Sequence, residues 1–347
     1  MNFSNKRRLN ILKNYVIGWT LAFIFLTIIR GLGTIDLGAV QIELWKGILS
    51  AFLIGPIVGS ISGVVQILIE EHMYKKIPLQ KLLILRFLFS ILFVTFIAIL
   101  VHTLFGNNIG LLDFALANSS IAIYVYIITV DIFMFSLRQV NLFLGSNNLW
   151  KLLSGKFYIP REEEMIFMFL DLKSSTNHAE KLGHIQYSKM IQDCFNDLGI
   201  VVENEADIYQ YVGDEVILTW PLKIGLRNQN CINAYFNFKE QLNKRKDYYL
   251  STYDILPQFK AGVNAGIVTV TEVGKYKKEI AYHGDTINTA ARIQGKCSEF
   301  NKELLISGNL KEKLNNANIT FENLDKIQLR GKKGLVPIFA VDGLSNR

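Results

Sequence analysis

Two carboxylates in the C-terminal half of the chain sit where strand-like runs end in turns. Asp171 follows the continuous apolar run Ile166-Phe167-Met168-Phe169-Leu170, and Asp214 occupies a Gly-Asp turn between Asp207–Tyr211 and Glu215–Trp220. Hard divalent cations bound together with a nucleoside triphosphate take one or two such carboxylates and complete their shell with phosphate oxygens. Directly after Asp171, the segment Leu172-Lys173-Ser174-Ser175-Thr176 reads as a turn opening a helix, which offers backbone NH groups and hydroxyls to phosphates. A lone Asp at a strand end is more often a cap or turn residue, so the weight rests on what accompanies these two.

Positioning them requires strands with open ends. Met165–Leu170 reads as a buried strand, and Asp207–Tyr211 with Glu215–Trp220 as a hairpin. Further strands are expected at Gln258–Asn264, Gly266–Thr271 and Glu279–His283, with closing strands near Ile327–Arg330 and Val336–Val341. Helical patterns fall at His184–Glu203, Cys231–Lys246 and Asp285–Gln294. This mixed order with hairpins predicts an α+β domain rather than a doubly wound parallel sheet. Alternation counted from Asp214 turns Glu215 to the opposite face and gives it a structural role. His178, His184 and His283 show no metal-type spacing, and Tyr209, Tyr211 and Trp220 read as packing residues.

Three segments carry a resemblance. Phe169 to Thr176, Tyr211-Val212-Gly213-Asp214, and Gly284 to Arg292 (Gly-Asp-Thr-Ile-Asn-Thr-Ala-Ala-Arg) resemble, in order and at similar spacing, the signature segments of class III nucleotide cyclases. The likeness covers about 164–341. It implies a catalytic domain with a ferredoxin-like core, a head-to-tail homodimer with active sites at the interface, and conversion of a nucleoside triphosphate to a 3',5'-cyclic nucleotide and pyrophosphate. It also implies two metal ions per active site, Mg2+ or Mn2+.

Carried over position by position, Asp171 and Asp214 match the paired metal ligands, with Leu172 beside them at a metal-binding position. Ser174, Ser175 and Thr176 fall on the substrate side. Asn288 matches the ribose-orienting asparagine, Arg292 the transition-state arginine four residues on, and Lys332 the lysine for the terminal phosphates. With these positions filled, an active enzyme is expected. The departures lie at the base-reading positions, Gln210 and Ala281. Adenylate-forming relatives usually carry Lys with Asp or Thr there, and guanylate-forming ones Glu with Cys. A glutamine amide both donates and accepts, and alanine adds no polar contact. ATP is the expected substrate and GTP the alternative, with a catalytically silent receptor or dimerisation module as a third reading. A diguanylate cyclase is disfavoured because Val212 and Val216 replace the first glycine and the final phenylalanine of its turn motif.

The rest of the chain has a different character. Of 347 residues, 50% are apolar and 19% charged, and a mean hydropathy of +0.24 is too high for an ordinary soluble enzyme. Three widely spaced cysteines exclude a disulfide scaffold and fit free thiols. The net charge of +7 is spread along the chain rather than gathered in a stripe, so no nucleic-acid partner is expected.

Apolar stretches at Leu9–Ile29, Gly47–Ile69, Leu82–Phe105 and Leu116–Leu137 each approach or exceed the ~20 residues that cross a bilayer. Lys and Arg cluster before the first, between the second and third, and after the fourth. The expected arrangement is therefore a four-helix transmembrane domain over 1–137, a coupling linker over 138–163 and a catalytic domain over 164–347. The protein is expected in the inner (cytoplasmic) membrane as a multi-pass chain, with its N-terminus and catalytic domain in the cytoplasm. The bilayer is an implied partner, and nothing in the spans names the signal they receive. Gly55, Gly59 and Gly63 form a candidate helix-packing seam. Arg86 and Asp131 lie at similar depths, ~6 and ~9 Å from one edge at the helical rise, which predicts an intramembrane ion pair. The alternative is that Arg86 snorkels to the headgroups while Asp131 meets water or is protonated.

Overall fold

The computed structural model describes residues 3–33, 44–74, 77–105, 110–145, 148–314, 319–328 and 334–344. The chain separates into two compact units, 1–143 and 144–347.

The first unit is built from α1 (Phe3–Gly33), α2 (Leu44–His72), α3 (Leu79–Phe105), a short α4 (Leu111–Leu116) and α5 (Asn118–Leu144). The four long helices are each long and apolar enough to cross a membrane. Their side chains are distributed inside out relative to a water-soluble bundle. Leu21, Phe25, Leu53, Ile57, Leu92 and Phe96 are exposed, whereas Ser62, Gln66, Arg86, Ser90 and Asp131 are buried. Lipid gives no drive to hide apolar groups, but it penalises polar ones that lack partners. The glycine seam packs α2 against α1. A Cβ at Gly55 would stand 2.6 Å from Thr20 Cα, and one at Gly59 2.6 Å from Val16 Cα, so the two backbones touch.

Arg86 and Asp131 meet as expected. Arg86 Nε donates to Asp131 Oδ2 and Nη2 to Oδ1, both at 2.6 Å. Ser62 Oγ donates to Oδ1 at 2.7 Å and Ser90 Oγ to Oδ2 at 2.8 Å. The Tyr15 and Phe89 rings lie 5.8 and 5.3 Å from the guanidinium. Snorkelling loses because the bundle interior satisfies both charges. A second cluster has Glu70 accepting from Arg138 at 2.6 and 2.8 Å and from Arg7 at 2.8 Å.

The second unit runs α6 (Asn148–Leu153), β1 (Arg161–Leu172), α7 (Ser175–Asp197), β2 (Asp207–Val212), β3 (Glu215–Pro221), α8 (Leu222–Leu226), α9 (Asn230–Lys244), α10 (Lys246–Tyr253) and β4 (Phe259–Val273). It continues through β5 (Glu279–His283), α11 (Asp285–Gly295), β6 (Leu304–Ser307), α12 (Gly308–Lys313), β7 (Ile319–Gln328) and β8 (Leu335–Leu344). The sheet order is β2-β3-β1-β4-β6-β8-β7, with β5 paired to β4. Among the described ladders only β4 with β6 is parallel. The stretch from β1 through α7, β2, β3, α9 and β4, in spatial order β2-β3-β1-β4, is the ferredoxin-like βαββαβ arrangement.

β1 is buried on both faces, which is why its sequence does not alternate. Ile166, Met168, Leu170 and Leu172 enter one cluster with α7 and α9, while Met165, Phe167 and Phe169 enter another that includes Ala290 of α11 and Ile280 of β5.

Several elements differ from expectation. β1 begins at Arg161 and takes in the acidic run 162–164, which pairs with Thr269, Val268 and Ile267. The segment expected as two strands across 258–271 is the single strand β4. Gly266 does not interrupt it; a Cβ there would stand 2.6 Å from Thr286 Oγ1, so the glycine admits α11. α7 begins at Ser175 and bends at Gly183 (φ 70°). The short β6 and α12 have too few residues to show a period. Phe157 joins the second cluster, with Leu152 packed against it, and Phe157 O accepts from Glu272 N at 2.8 Å.

Candidate active site

β1 delivers Asp171 to the end of the sheet. In the strand register Asp171 stands opposite Glu215 of β3 on one side and Lys260 of β4 on the other, and directly opposed residues share a face. Asp171 Oδ2 accepts from Gln294 Nε2 of α11 at 3.0 Å and pairs with Lys260 Nζ at 3.1 Å. Beyond it, the Lys173 amide donates to Gln258 O at 2.8 Å, and Ser174 takes a left-handed turn (φ 59°) that lets α7 start at Ser175. The Leu172 side chain is buried in the core, so only its backbone faces the site. Ser174 and Thr176 are exposed and Ser175 is half-buried. The first turn of α7 leaves amide NH groups without helical acceptors beside Asp171.

Asp214 reaches the same region from the two-residue loop joining β2 and β3, closed by the Val212–Glu215 pair. Gly213 adopts φ 64°, as the first residue of such a loop must when its twist follows the strands. Asp214 Oδ2 is buried and makes no hydrogen bond. Burial and the adjacent charges of Asp171 and Asp214 push the Glu215 carboxyl up to about 6. Burial, then the same two carboxylates, raises the Tyr187 phenol on α7 above its ordinary range. The site is crowded with negative charge and has an orphaned oxygen.

That deficit fits a hard divalent cation. Among the described residues no trio of His, Cys, Asp or Glu is arranged to hold a metal ion. Two protein carboxylates with the remainder of the shell from phosphate and water is the pattern such ions adopt with nucleotides.

The other expected residues belong to a separate group. α11 carries Asn288, exposed, with Nδ2 3.5 Å from Gly284 O, and Arg292, whose Nη1 lies 3.8 Å from Asp285 Oδ1. No described hydrogen bond or ion pair joins either to Asp171 or Asp214. A register shift between Ile208 and Gln210 sets Gln210 opposite Ile217. Gln210 and Ala281 are the chain neighbours of Tyr209 and Tyr282, whose rings meet edge-on at 5.0 Å. Gln210 is exposed and Ala281 half-buried. Lys332 lies outside the described residues.

Sequence reasoning misplaces Glu215 and misses Lys260 and Gln294. Asp214 is in the turn rather than on the strand, so alternation cannot be counted from it; Glu215 pairs with Asp171 and shares its face. Lys260 becomes visible only once the β1–β4 register is known, and Gln294 only once α11 is docked.

Residues 157–342 match the family described as Adenylate and Guanylate cyclase catalytic domain. Among curated proteins, the chain is 31% identical over 208 residues to Adenylate cyclase 2 of Rhizobium meliloti (strain 1021), covering 60% of this chain and 54% of that relative. It is 23% identical over 188 residues to Adenylate cyclase 1 of the same organism, covering 52% of this chain and 28% of that one. The chain thus spans about half the length of the first relative and less than a third of the second. A bacterial light-regulated adenylyl cyclase structure shares the fold at a TM-score of 0.56 and 18% identity, over 66% of this chain and 67% of that one. With more than half of its residues matched, behind four membrane-length apolar helices, the chain belongs to the class III adenylate and guanylate cyclase catalytic-domain family.

Proposed function

We propose that the protein is a membrane-bound nucleotide cyclase that converts ATP to 3',5'-cyclic AMP and pyrophosphate at active sites shared by two copies of the chain. The observation that carries this reading is the incomplete carboxylate pair, with Asp171 held on one oxygen and Asp214 Oδ2 buried without a partner. Two Mg2+ or Mn2+ ions per site, when bound, supply activation of the ribose 3'-oxygen and neutralisation of the triphosphate. Asp171 and Asp214 hold them, with the backbone at Leu172. Ser174, Ser175 and Thr176 at the start of α7 receive phosphate oxygens.

Asn288 and Arg292, from the partner copy in a head-to-tail homodimer, orient the ribose and stabilise charge developing at the α-phosphorus as the 3'-oxygen attacks and pyrophosphate leaves. Lys332 steadies the terminal phosphates. Gln210 and Ala281 face the base. The name of the 31% identical relative supports ATP. GTP is the second reading, left open by the amide of Gln210, which turns to suit either purine. The presence of Asp171, Asp214, Asn288 and Arg292 together disfavours a silent module.

Residues 1–137 form the transmembrane domain, 138–163 couple it to the catalytic domain at 164–347, and an unidentified signal acts on the spans. The distribution of Lys and Arg supports the inner membrane with the N-terminus and catalytic domain in the cytoplasm. The deciding assay offers ATP and GTP separately to the purified full chain with Mn2+ and quantifies cyclic products. Cyclic AMP that disappears with EDTA is expected. Predominant cyclic GMP selects the second reading, and no cyclic product from either nucleotide overturns both.

A further inference from the structure

We propose that Gln294 is a positioning residue for Asp171, holding the metal-binding carboxylate from the helix that also carries Asn288 and Arg292. The proposal rests on the metal-assisted reading above. Gln294 is buried at 7% exposure, and its Nε2 donates to Asp171 Oδ2 at 3.0 Å. Lys260 Nζ converges on the same oxygen at 3.1 Å. Neither bond involves Oδ1, which is therefore the oxygen a cation meets without displacing a donor.

The two donors are not equivalent. The Lys260 ammonium neutralises the carboxylate and competes with an incoming cation, whereas the Gln294 amide fixes the carboxylate's rotation and leaves its charge in place. The amide is also set on a rigid support. A Cβ on Gly262 of β4 would stand 2.1 Å from Gln294 N and 2.6 Å from Ala290 O, so α11 lies backbone to backbone on the sheet at this point. Gly262 is paired with Phe169, two residues before Asp171, and lies two residues after Lys260. Asp171 and the base of the Gln294 side chain are thereby fixed to one another.

The test measures Mn2+ alone, by electron paramagnetic resonance of the free ion, on the full-length protein in detergent. Wild type and Asp171→Ala set the scale. Gln294→Met keeps the volume and removes the donor, and Gln294→Leu repeats the deletion with another shape. Both are expected to weaken Mn2+ binding about tenfold, the lower end of what partners of a metal ligand contribute. Thermal unfolding in EDTA reports whether either variant loosens the fold; a purely structural role would lower that transition and leave the Mn2+ affinity of the folded fraction unchanged. Affinity within twofold of wild type in both variants overturns the proposal, while loss of binding in Asp171→Ala keeps the metal reading standing. A wild type that takes up no Mn2+ overturns the metal reading and this proposal with it.

Discussion

Asp131 in the membrane-type unit is a buried carboxylate and Asp214 in the cyclase unit a half-buried one with Oδ2 shielded from water, and they are treated in opposite ways. Each oxygen of Asp131 receives two donors, one from Arg86 and one from a serine, all within 2.8 Å. Asp214 Oδ2 receives none, and the neighbouring Asp171 is held on a single oxygen. A charge inside an apolar bundle has no water to fall back on, so the first arrangement must be complete within the chain. The second is left incomplete, and beside it burial, with the charges of Asp171 and Asp214 added, pushes the Glu215 carboxyl up to about 6. Saturation fits a carboxylate that holds structure, and an unpartnered buried oxygen calls for an explanation, which the proposed metal pair supplies.

This contrast is open to direct attack. The largest effect is expected from Asp171→Ala and Asp214→Asn, which should each lower cyclic-nucleotide formation on the order of 1000-fold, since several kcal/mol of charge stabilisation are lost. In EDTA the Asp214→Asn unfolding transition should stay level or rise by up to about 1 kcal/mol, because an unsatisfied charge has been removed. A parallel loss of stability and activity would erase the distinction between the two sites.

Next in size is the recovery from mixing Asp171→Ala with Arg292→Ala protein. If the metal half-site is completed by a partner copy, random exchange leaves one intact site in half of the dimers. The rate should then return to roughly a quarter of wild type. No recovery after demonstrated subunit exchange would mean that one chain supplies the whole site.

In the membrane-type unit, Arg86→Ala and Asp131→Ala should each cost ~3 kcal/mol or more by stranding the opposite charge. The exchanged pair, Arg86→Asp with Asp131→Arg, should regain much of that loss in thermal unfolding in detergent. Additive damage in the exchange would show that the pair is not the source of the stability. The smallest effect concerns the base. Gln210→Lys with Ala281→Asp should shift the ATP/GTP rate ratio about tenfold toward ATP, and Gln210→Glu with Ala281→Cys about as far toward GTP, at roughly 1.4 kcal/mol per tenfold. Unchanged ratios in both would assign base choice to other residues.

What is legible in the sequence follows from how far apart the interacting residues are in the chain. The apolar stretch of β1 and the hairpin around Gly213 are local patterns and both form, although β1 starts at Arg161, ahead of the Met165 at which its apolar run begins. Arg86 and Asp131 are far apart in sequence, yet their meeting is readable because depth along a membrane helix is linear in residue number. Lys260 and Gln294 are more remote still from Asp171, and their approach depends on strand register and helix docking, which no local period encodes. Glu215 fails for a local reason: one residue of turn reverses the parity on which alternation relies.

The Arg86–Asp131 pair also carries a consequence for synthesis. Arg86 emerges 45 residues ahead of its partner, which at ~5 to 20 residues per second is a delay of roughly 2 to 9 s. Ser62 of α2, made 24 residues before Arg86, is a polar partner already available in that interval, through its hydroxyl and its carbonyl. If α2 and α3 pack before α5 is made, Ser62 offers the guanidinium provisional acceptors until Asp131 arrives. Charge closure of the membrane part coincides with the moment translation turns to the catalytic half.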